Sequence, residues 1–413
     1  MITKVEALNY KCLRDIEQGL GPFHVLVGPN ASGKSTFLDV IGFMGDVVRE
    51  GPVRAVSKRA SNFRDLFWRG LGFRFELAIE ARIPENLTAL LENKSYGACR
   101  YEMSIGVQEN YTEELGILGE TLSLLKSTER AFRARTLFPQ SRLPARDSLA
   151  YSGRKKSLVN KIYKGNDNFY SETGKWDHSF KLGPQKSALA NLPEDEEKFP
   201  VSTWFKKILQ EGIQILLLNS EAMRWACPPG TTRKFSPDGS NLPLVIESLK
   251  ARNFPRYREW VAHIQTALPD VRDITVIERP EDKHKYIVVE HANGVRVPSW
   301  LTSDGTLRLL ALTLLAYLPE MPGIYLIEEP ENGIHPKAIQ TIYQSLSSVY
   351  TGQVLLATHS PILLSITEPE HLLCFAKNEE GIVDVVSGTE HPYRREWQRE
   401  ISLGDVFASG ILG

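Results

Sequence analysis

The segment Gly28-Pro29-Asn30-Ala31-Ser32-Gly33-Lys34-Ser35 has the residue types and spacing of a phosphate cradle, G-x-x-x-x-G-K-[ST]. Glycines let a backbone turn tightly and aim several N–H groups at phosphate oxygens. A helix that starts directly after such a turn adds its positive N-terminal end. In this pattern Lys34 reaches the β- and γ-phosphates and the Ser35 hydroxyl ligates Mg²⁺. Pro29, Asn30, Ala31, Ser32 and Thr36 complete the set expected to line the nucleotide, which is taken to be ATP.

A second chemical segment, Ile324-Tyr325-Leu326-Ile327-Glu328-Glu329, is an apolar run ending in two carboxylates. Phosphoryl transfer to water uses one acid to hold the metal and another to polarise the attacking water. Glu328 is assigned to the metal and Glu329 to the base. Taken alone, two acids after an apolar run form a solvated strand end; the phosphate loop upstream favours the catalytic reading. His359 ends another apolar run, Val354 to Ala357, and is placed to meet a γ-phosphate. Leu301-Thr302-Ser303-Asp304-Gly305-Thr306-Leu307 opens an apolar helix. Ser303 or Asp304 suits its N-cap, and Gly305 would let a phosphate come close to the backbone. Spacing alone does not separate that reading from an ordinary capped helix.

The elements that must carry these residues alternate. Phe23 to Val27 reads as a buried strand, and Phe37, Leu38, Ile41, Met44 and Val48 recur at helical spacing after the loop. Strands are predicted at 73–79, 274–278, 285–290, 324–327 and 354–357, and helices over 256–268, from Thr306, and over 336–349. Asn293-Gly294 predicts a tight hairpin into Val295 to Val297. Strand–helix alternation indicates an α/β core. Residues 85–215 are less regular, with a hairpin over 101–107 and 115–124, and read as an insertion.

Composition is that of a globular chain: 413 residues, 42% hydrophobic, 24% charged, formal net charge −1. That charge gives no global attraction to nucleic acid or anionic membrane. Four cysteines without CxxC spacing argue against a disulfide framework or a zinc site. No signal-peptide pattern opens the chain, and its longest apolar stretch, Leu307 to Leu318, is too short for a bilayer. A soluble cytoplasmic protein with no membrane partner is expected.

Together the four segments resemble the ABC-type ATPase heads related to RecF, the SMC proteins and the overcoming-lysogenization-defect (OLD) ATPases. They are most similar to stand-alone bacterial AAA family ATPases, which carry a GPNxSGKS loop and an (I/D)EPENGxHP box, here Gly28 to Ser35 and Glu328 to Pro336. The resemblance implies an α/β P-loop NTPase of ABC-ATPase head type with an inserted α+β arm or lid domain. The lobes would be 1–84 and 216–413, and the arm 85–215. It implies ATP and Mg²⁺ as ligands and catalytic roles for Lys34, Glu329 and His359. It makes Ser303 to Thr306 a signature that closes on ATP held by a second head, giving a homodimer or higher homo-oligomer, with Asn332 near the seam. The family's usual metal-side Asp is Glu328 here, and no glutamine after the first helix takes the Mg²⁺-sensing role. OLD relatives add a Toprim nuclease; the short chain after His359 has no acidic cluster for one.

Between Arg130 and Lys164 basic residues greatly outnumber acids and aromatics are interleaved. This stretch suits DNA or RNA contact, an acidic protein partner, or a solvated loop. Three functions follow: an ATP-driven switch on nucleic acid or a separate effector, in DNA repair or antiviral defence; a regulatory ATP-binding module with negligible hydrolysis; and, least favoured, the motor of a membrane transporter.

Overall fold

The computed structural model describes residues 1–107, 114–126, 135, 137–140, 144–175, 177–318 and 323–392. Contacts divide the chain into two compact units: Met1–Ile213 with the segment from Pro369, and Gln214–Glu368. Each unit is described by itself.

The first unit opens with β1 (Ile2–Tyr10), β2 (Leu13–Gly19) and β3 (Phe23–Val27), continues through β4 (Arg74–Arg82), β5 (Tyr96–Gly106) and β6 (Gly116–Lys126), and ends its long run with β7 (Lys155–Ile162), β8 (Asp167–Tyr170) and β9 (Asp177–Phe180). Eight of these form one antiparallel sheet in the order β2-β1-β4-β5-β6-β7-β8-β9. The strands of 85–215 therefore extend the sheet that β1 begins. One face is apolar and takes the loop helix, Lys34–Glu50. That helix buries Phe37, Leu38, Val40, Ile41, Phe43, Met44 and Val47, too many for a surface helix with one apolar stripe. Tyr10, Phe43 and Phe75 lock it to the sheet, with ring centroids 5.0–5.6 Å apart.

The opposite face carries charges. Arg100 pairs with Glu80 at 2.9 Å, with Glu102 at 2.6 Å, and with Glu6. Residues 144–151 cross this face as a strap. Arg146 pairs with Asp15 at 2.6 Å, the Leu149 N–H donates to Glu76 and the Tyr151 N–H to Glu102, and Leu149 packs on Leu8 and Ala78. Ionic groups so buried are tolerated only when paired, so strap and sheet need each other.

The second unit adds β10 (Ile213–Leu216), β11 (Val271–Glu278), β12 (Lys285–His291), β13 (Arg296–Pro298), β14 (Ile324–Glu328) and β15 (Gln353–Ala357). β10, β14 and β15 lie side by side, with β14 parallel to β15. β11 to β13 form an antiparallel meander turned by Asn293-Gly294, Gly294 at φ 84°. Helices Phe254–Ala267, Asp304–Leu314 and Pro336–Ser347 pack together, and the buried Trp260 Nε1–H donates to Thr313 Oγ1 at 3.0 Å. The chain then returns to the first unit with β16 (Leu372–Lys377), parallel to β3, and β17 (Val383–Ser387), antiparallel to β16. No helix among the described residues is long and apolar enough to cross a membrane.

Glu120 on β6 is 1% exposed and accepts from Tyr101 Oη, Ser187 Oγ, and the N–H groups of Ala188 and Leu189. Glu120→Ala leaves four buried donors without their acceptor. It is expected to destabilise the protein by about 3–5 kcal/mol, read as a lower urea midpoint; an unchanged midpoint would show that the Ser187–Leu189 segment finds other partners.

Candidate functional site

The phosphate loop grows out of β3, whose five residues are all buried. The turn that follows needs its glycines. Gly28 has φ 147°, and a Cβ there would sit 2.2 Å from the Phe375 carbonyl oxygen. Gly33 has φ 102°, and a Cβ would press to 3.2 Å from Val383 and 3.3 Å from Cys12 Sγ. Ala31 also takes a left-handed conformation, φ 60°. Lys34 starts the helix, is 5% exposed, and donates from Nζ to the carbonyls of Gly28 at 2.8 Å and Pro29 at 2.9 Å. An ammonium held against its own loop carbonyls is positioned where an anion entering the loop would meet it. Ser32 Oγ is buried without a hydrogen-bond partner among the described residues. Pro29, Asn30, Ala31 and Ser35 are exposed and Thr36 is half-buried.

Residues that sequence reasoning did not single out complete this rim. Cys12 Sγ–H donates to Thr36 Oγ1 at 3.3 Å. An open cleft of about 650 Å³ beside it is lined by Lys11, Cys12, Trp68, Arg69 and Glu380. Lys11 is fixed by Asp39 of the loop helix at 2.6 Å, and Asp39 also accepts from Tyr10 Oη and Arg59. Burial opposes charge on Asp39, but Arg59 and then Lys11 outweigh it and hold the carboxyl below its usual range. Asp39 carries no sequence signal for this role, because its partners come from the end of β1, from the turn after it and from residue 59.

In the second unit the acidic strand end is built by the β14–β15 pair. The Glu329 N–H continues the ladder to the Ala357 carbonyl at 2.8 Å. Glu328 and Glu329 are both exposed at the carboxyl end of β14. Glu329 has φ 45°, an uncommon conformation for a residue with a Cβ, costing roughly 1 kcal/mol. The chain then turns, with Asn332 N–H donating to the Glu329 carbonyl at 3.1 Å and Asn332 Nδ2–H donating to the Glu329 carboxylate. Glu331, which the sequence did not mark for a role, accepts from Thr358 Oγ1 and from the His359 N–H at 3.2 Å. It thereby ties the two strand ends together and sets where His359 begins.

The helix cap is Ser303, whose Oγ accepts from Thr306 N–H at 3.2 Å. Asp304 pairs instead with Arg224 at 2.6 Å. Gly305 has its own packing reason: a Cβ there would lie 2.4 Å from the Gly333 carbonyl oxygen. The structure thus brings the start of the Ser303-capped helix and the Glu329–Gly333 turn into contact within one unit. The loop residues 28–36 belong to the first unit, and Ser303, Gly305, Glu328, Glu329 and His359 to the second.

In the basic stretch, Arg130, Arg133 and Arg142 lie outside the described residues. Arg135 pairs with Asp384 at 2.8 Å, Arg146 with Asp15, Lys156 with Glu92 at 3.3 Å, and the buried Lys161 with Asp167 at 2.7 Å. Arg154 is exposed. Most of the described charge is therefore balanced inside the chain.

The family profile described as "AAA domain, putative AbiEii toxin, Type IV TA system" matches residues 23–95 and 117–365. The chain is similar to the "Retron Vc95 probable ATPase" of Vibrio cholerae serotype O1 biovar El Tor, 22% identical over 419 residues that cover 94% of this chain and 75% of that protein. It is also similar to the "OLD nuclease" of Thermus scotoductus, 44% identical over 48 residues, 11% of this chain and 9% of that protein. Among solved structures, an SmcHead bound to the C-winged helix domain of ScpA superposes with a TM-score of 0.54 at 15% identity, covering 94% of this chain and 97% of that one. An Smc head domain with an extended coiled coil, bound to the C-terminal domain of ScpA derived from Pyrococcus furiosus, gives 0.50 at 14% identity, covering 99% and 98%. These likenesses show the fold: a mixed α/β P-loop head of ABC type.

Gly305→Ala is expected to cost about 1–3 kcal/mol, because the added methyl overlaps a backbone oxygen rather than a flexible side chain. Urea unfolding followed by tryptophan fluorescence measures it. A wild-type midpoint would mean that the Gly333 turn moves aside freely.

Proposed function

For a chain that belongs to this AAA-domain family, and is an ATPase related to the SMC and OLD heads, we propose an ATP-driven switch that closes two copies around the nucleotide. The observation that carries the reading is the phosphate loop: two glycines that admit no side chain, a lysine aimed at the loop's centre, and the orphaned Ser32 hydroxyl. That donor set fits a polyphosphate and an accompanying hard cation.

In this reading the loop from Gly28 to Gly33 and Thr36 wraps the phosphates, with backbone N–H groups from its residues other than Pro29, and Lys34 leaves its loop carbonyls to neutralise them. Ser35 and Glu328 would hold Mg²⁺, which supplies charge neutralisation on the phosphates when bound. Glu328 stands where an aspartate is usual and brings the same hard oxygen donor. Glu329 orients and deprotonates the attacking water, since its carboxylate is exposed at the strand end while Asn332 fixes one of its oxygens. His359 meets the γ-phosphate, its backbone held by Glu331. Ser303 and Gly305 act on the nucleotide of the second copy, with the helix N-terminus directed at phosphate. Large apolar side chains exposed around that cap, Trp300 at 49% and Leu301 at 71%, support a face that becomes covered.

The similarity to a retron ATPase, together with the family's description, supports work beside a separate effector protein, in antiviral defence. Nucleic acid contact through Arg130 to Lys164 gains little support, because most of the described cations are spent on internal carboxylates. Neutralising Arg154, Lys155 and Lys156 together is expected to leave the salt dependence of any DNA or RNA binding unchanged; a flatter salt slope would restore that role.

Glu329→Gln is expected to lower turnover by about 10²–10⁴-fold while Mg-ATP still binds. Light-scattering mass of this variant should rise on adding Mg-ATP as two heads close. ATP binding without any change of mass would point to the regulatory module that hydrolyses little and closes only with a partner.

A further inference from the structure

The cap helix and the catalytic turn touch at a second place besides Gly305. Arg308, one turn into that helix, is half-buried and reaches three groups. Its Nη1–H donates to the Asn332 carbonyl, its Nη2–H to the Leu218 carbonyl, and its Nε–H to Ser220 Oγ, each at 3.3 Å. Asn332 in turn gives its side-chain N–H to the Glu329 carboxylate. Arg308, Glu328, Glu329 and Asn332 line one cavity of about 340 Å³, walled on its apolar side by Leu216, Leu312 and Ile327.

We propose that Arg308 is a positioning residue for the catalytic carboxylate: it clamps the Asn332 backbone so that the Asn332 amide holds Glu329 in its left-handed, water-activating pose. The proposal rests on Glu329 being the base. The physical case has three parts. Glu329 sits at φ 45°, a conformation that persists only when surrounding contacts impose it. The exposed turn from Glu329 to Gly333 has few buried side chains of its own to impose it, so the constraint must come from outside the turn. A guanidinium offers a rigid fork of donors, which can hold two carbonyls and a hydroxyl at fixed separation; a single ammonium point cannot. Since Arg308 rides on the helix that Ser303 caps, any displacement of that cap passes to the turn through two ties, Arg308 to Asn332 and Gly305 against Gly333. Occupation of the signature would thereby be felt at the base of the same chain.

The test is steady-state turnover of the full chain at saturating Mg-ATP, with ATP affinity by calorimetry alongside. Arg308→Ala is expected to lower kcat by about 10-fold or more with ATP affinity within about twofold, since it touches the base's support and none of the phosphate loop. Arg308→Lys should recover only part of the loss. Asn332→Ala should give a similar drop, and the double variant should turn over no more slowly than the worse single, because both cut one chain of contacts. Multiplicative losses in the double variant, or a raised KM at unchanged kcat, would overturn the proposal. If Arg308→Ala does not fold by circular dichroism, the same cycle is run with Arg308→Lys. Full turnover in Glu329→Gln would remove the base assignment and this proposal with it, whereas loss there with wild-type kcat in Arg308→Ala overturns the positioning role alone.

Discussion

Parallel strands that end side by side leave the chain to turn over exposed backbone groups, and this protein meets that constraint with one carboxylate. Glu331 accepts from the Thr358 hydroxyl and the His359 N–H, joining the end of β14 to the end of β15 where the sheet ladder stops at Glu329 and Ala357. Without that tie, the ladder bond from Glu329 to Ala357 would be the last link between the strand ends, and His359 would lie beyond it. With it they occupy one rigid edge, and the remaining contacts of the second unit, from Asn332, Gly333 and Arg308, converge on the same turn.

The first unit solves a different problem with related means. A loop that must present backbone N–H groups outward leaves little room for side chains, so its support comes from below. β3 is buried on both faces, the Phe375 carbonyl lies directly under Gly28, and Val383 and Cys12 close on Gly33. The Tyr10–Asp39–Lys11–Arg59 network then holds the first turns of the loop helix against the β1–β2 connection. Such paired, partly buried charges contribute to a fixed geometry more than to net stability, which suits a loop that has to stay formed when empty.

The basic stretch shows why charge read along a chain misleads. Ten cations in a short span suggest a face for a polyanion, yet Arg146 serves Asp15 and Glu6, Lys161 serves Asp167, and Arg135 serves Asp384. The strap that Arg146 anchors covers a polar sheet face that would otherwise be solvated. For Arg135 and Arg146 the neutralising acids lie far away in the sequence, where composition and periodicity carry no signal.

What the sequence alone determined was local. Strand, glycine turn, lysine and helix follow one another within a few residues, and each element's preference is set by near neighbours, so the phosphate loop was legible. So were the β5–β6 hairpin, the Asn293-Gly294 turn, a helix cap at Ser303 or Asp304 and the apolar run that places two acids at a strand end. The family resemblance then supplied roles for them. The tertiary structure decided what depends on contacts between distant segments. It made 85–215 a continuation of the β1 sheet, because edge strands with unpaired ladders attract further strands. It gave Gly305 a packing reason in Gly333, turned Glu331 into the tie between strand ends, and set Arg308 over Asn332. None of these pairs is close enough in the chain for periodicity or capping rules to reach, and each is fixed only when packed helices and parallel strands bring the two partners within a few ångströms.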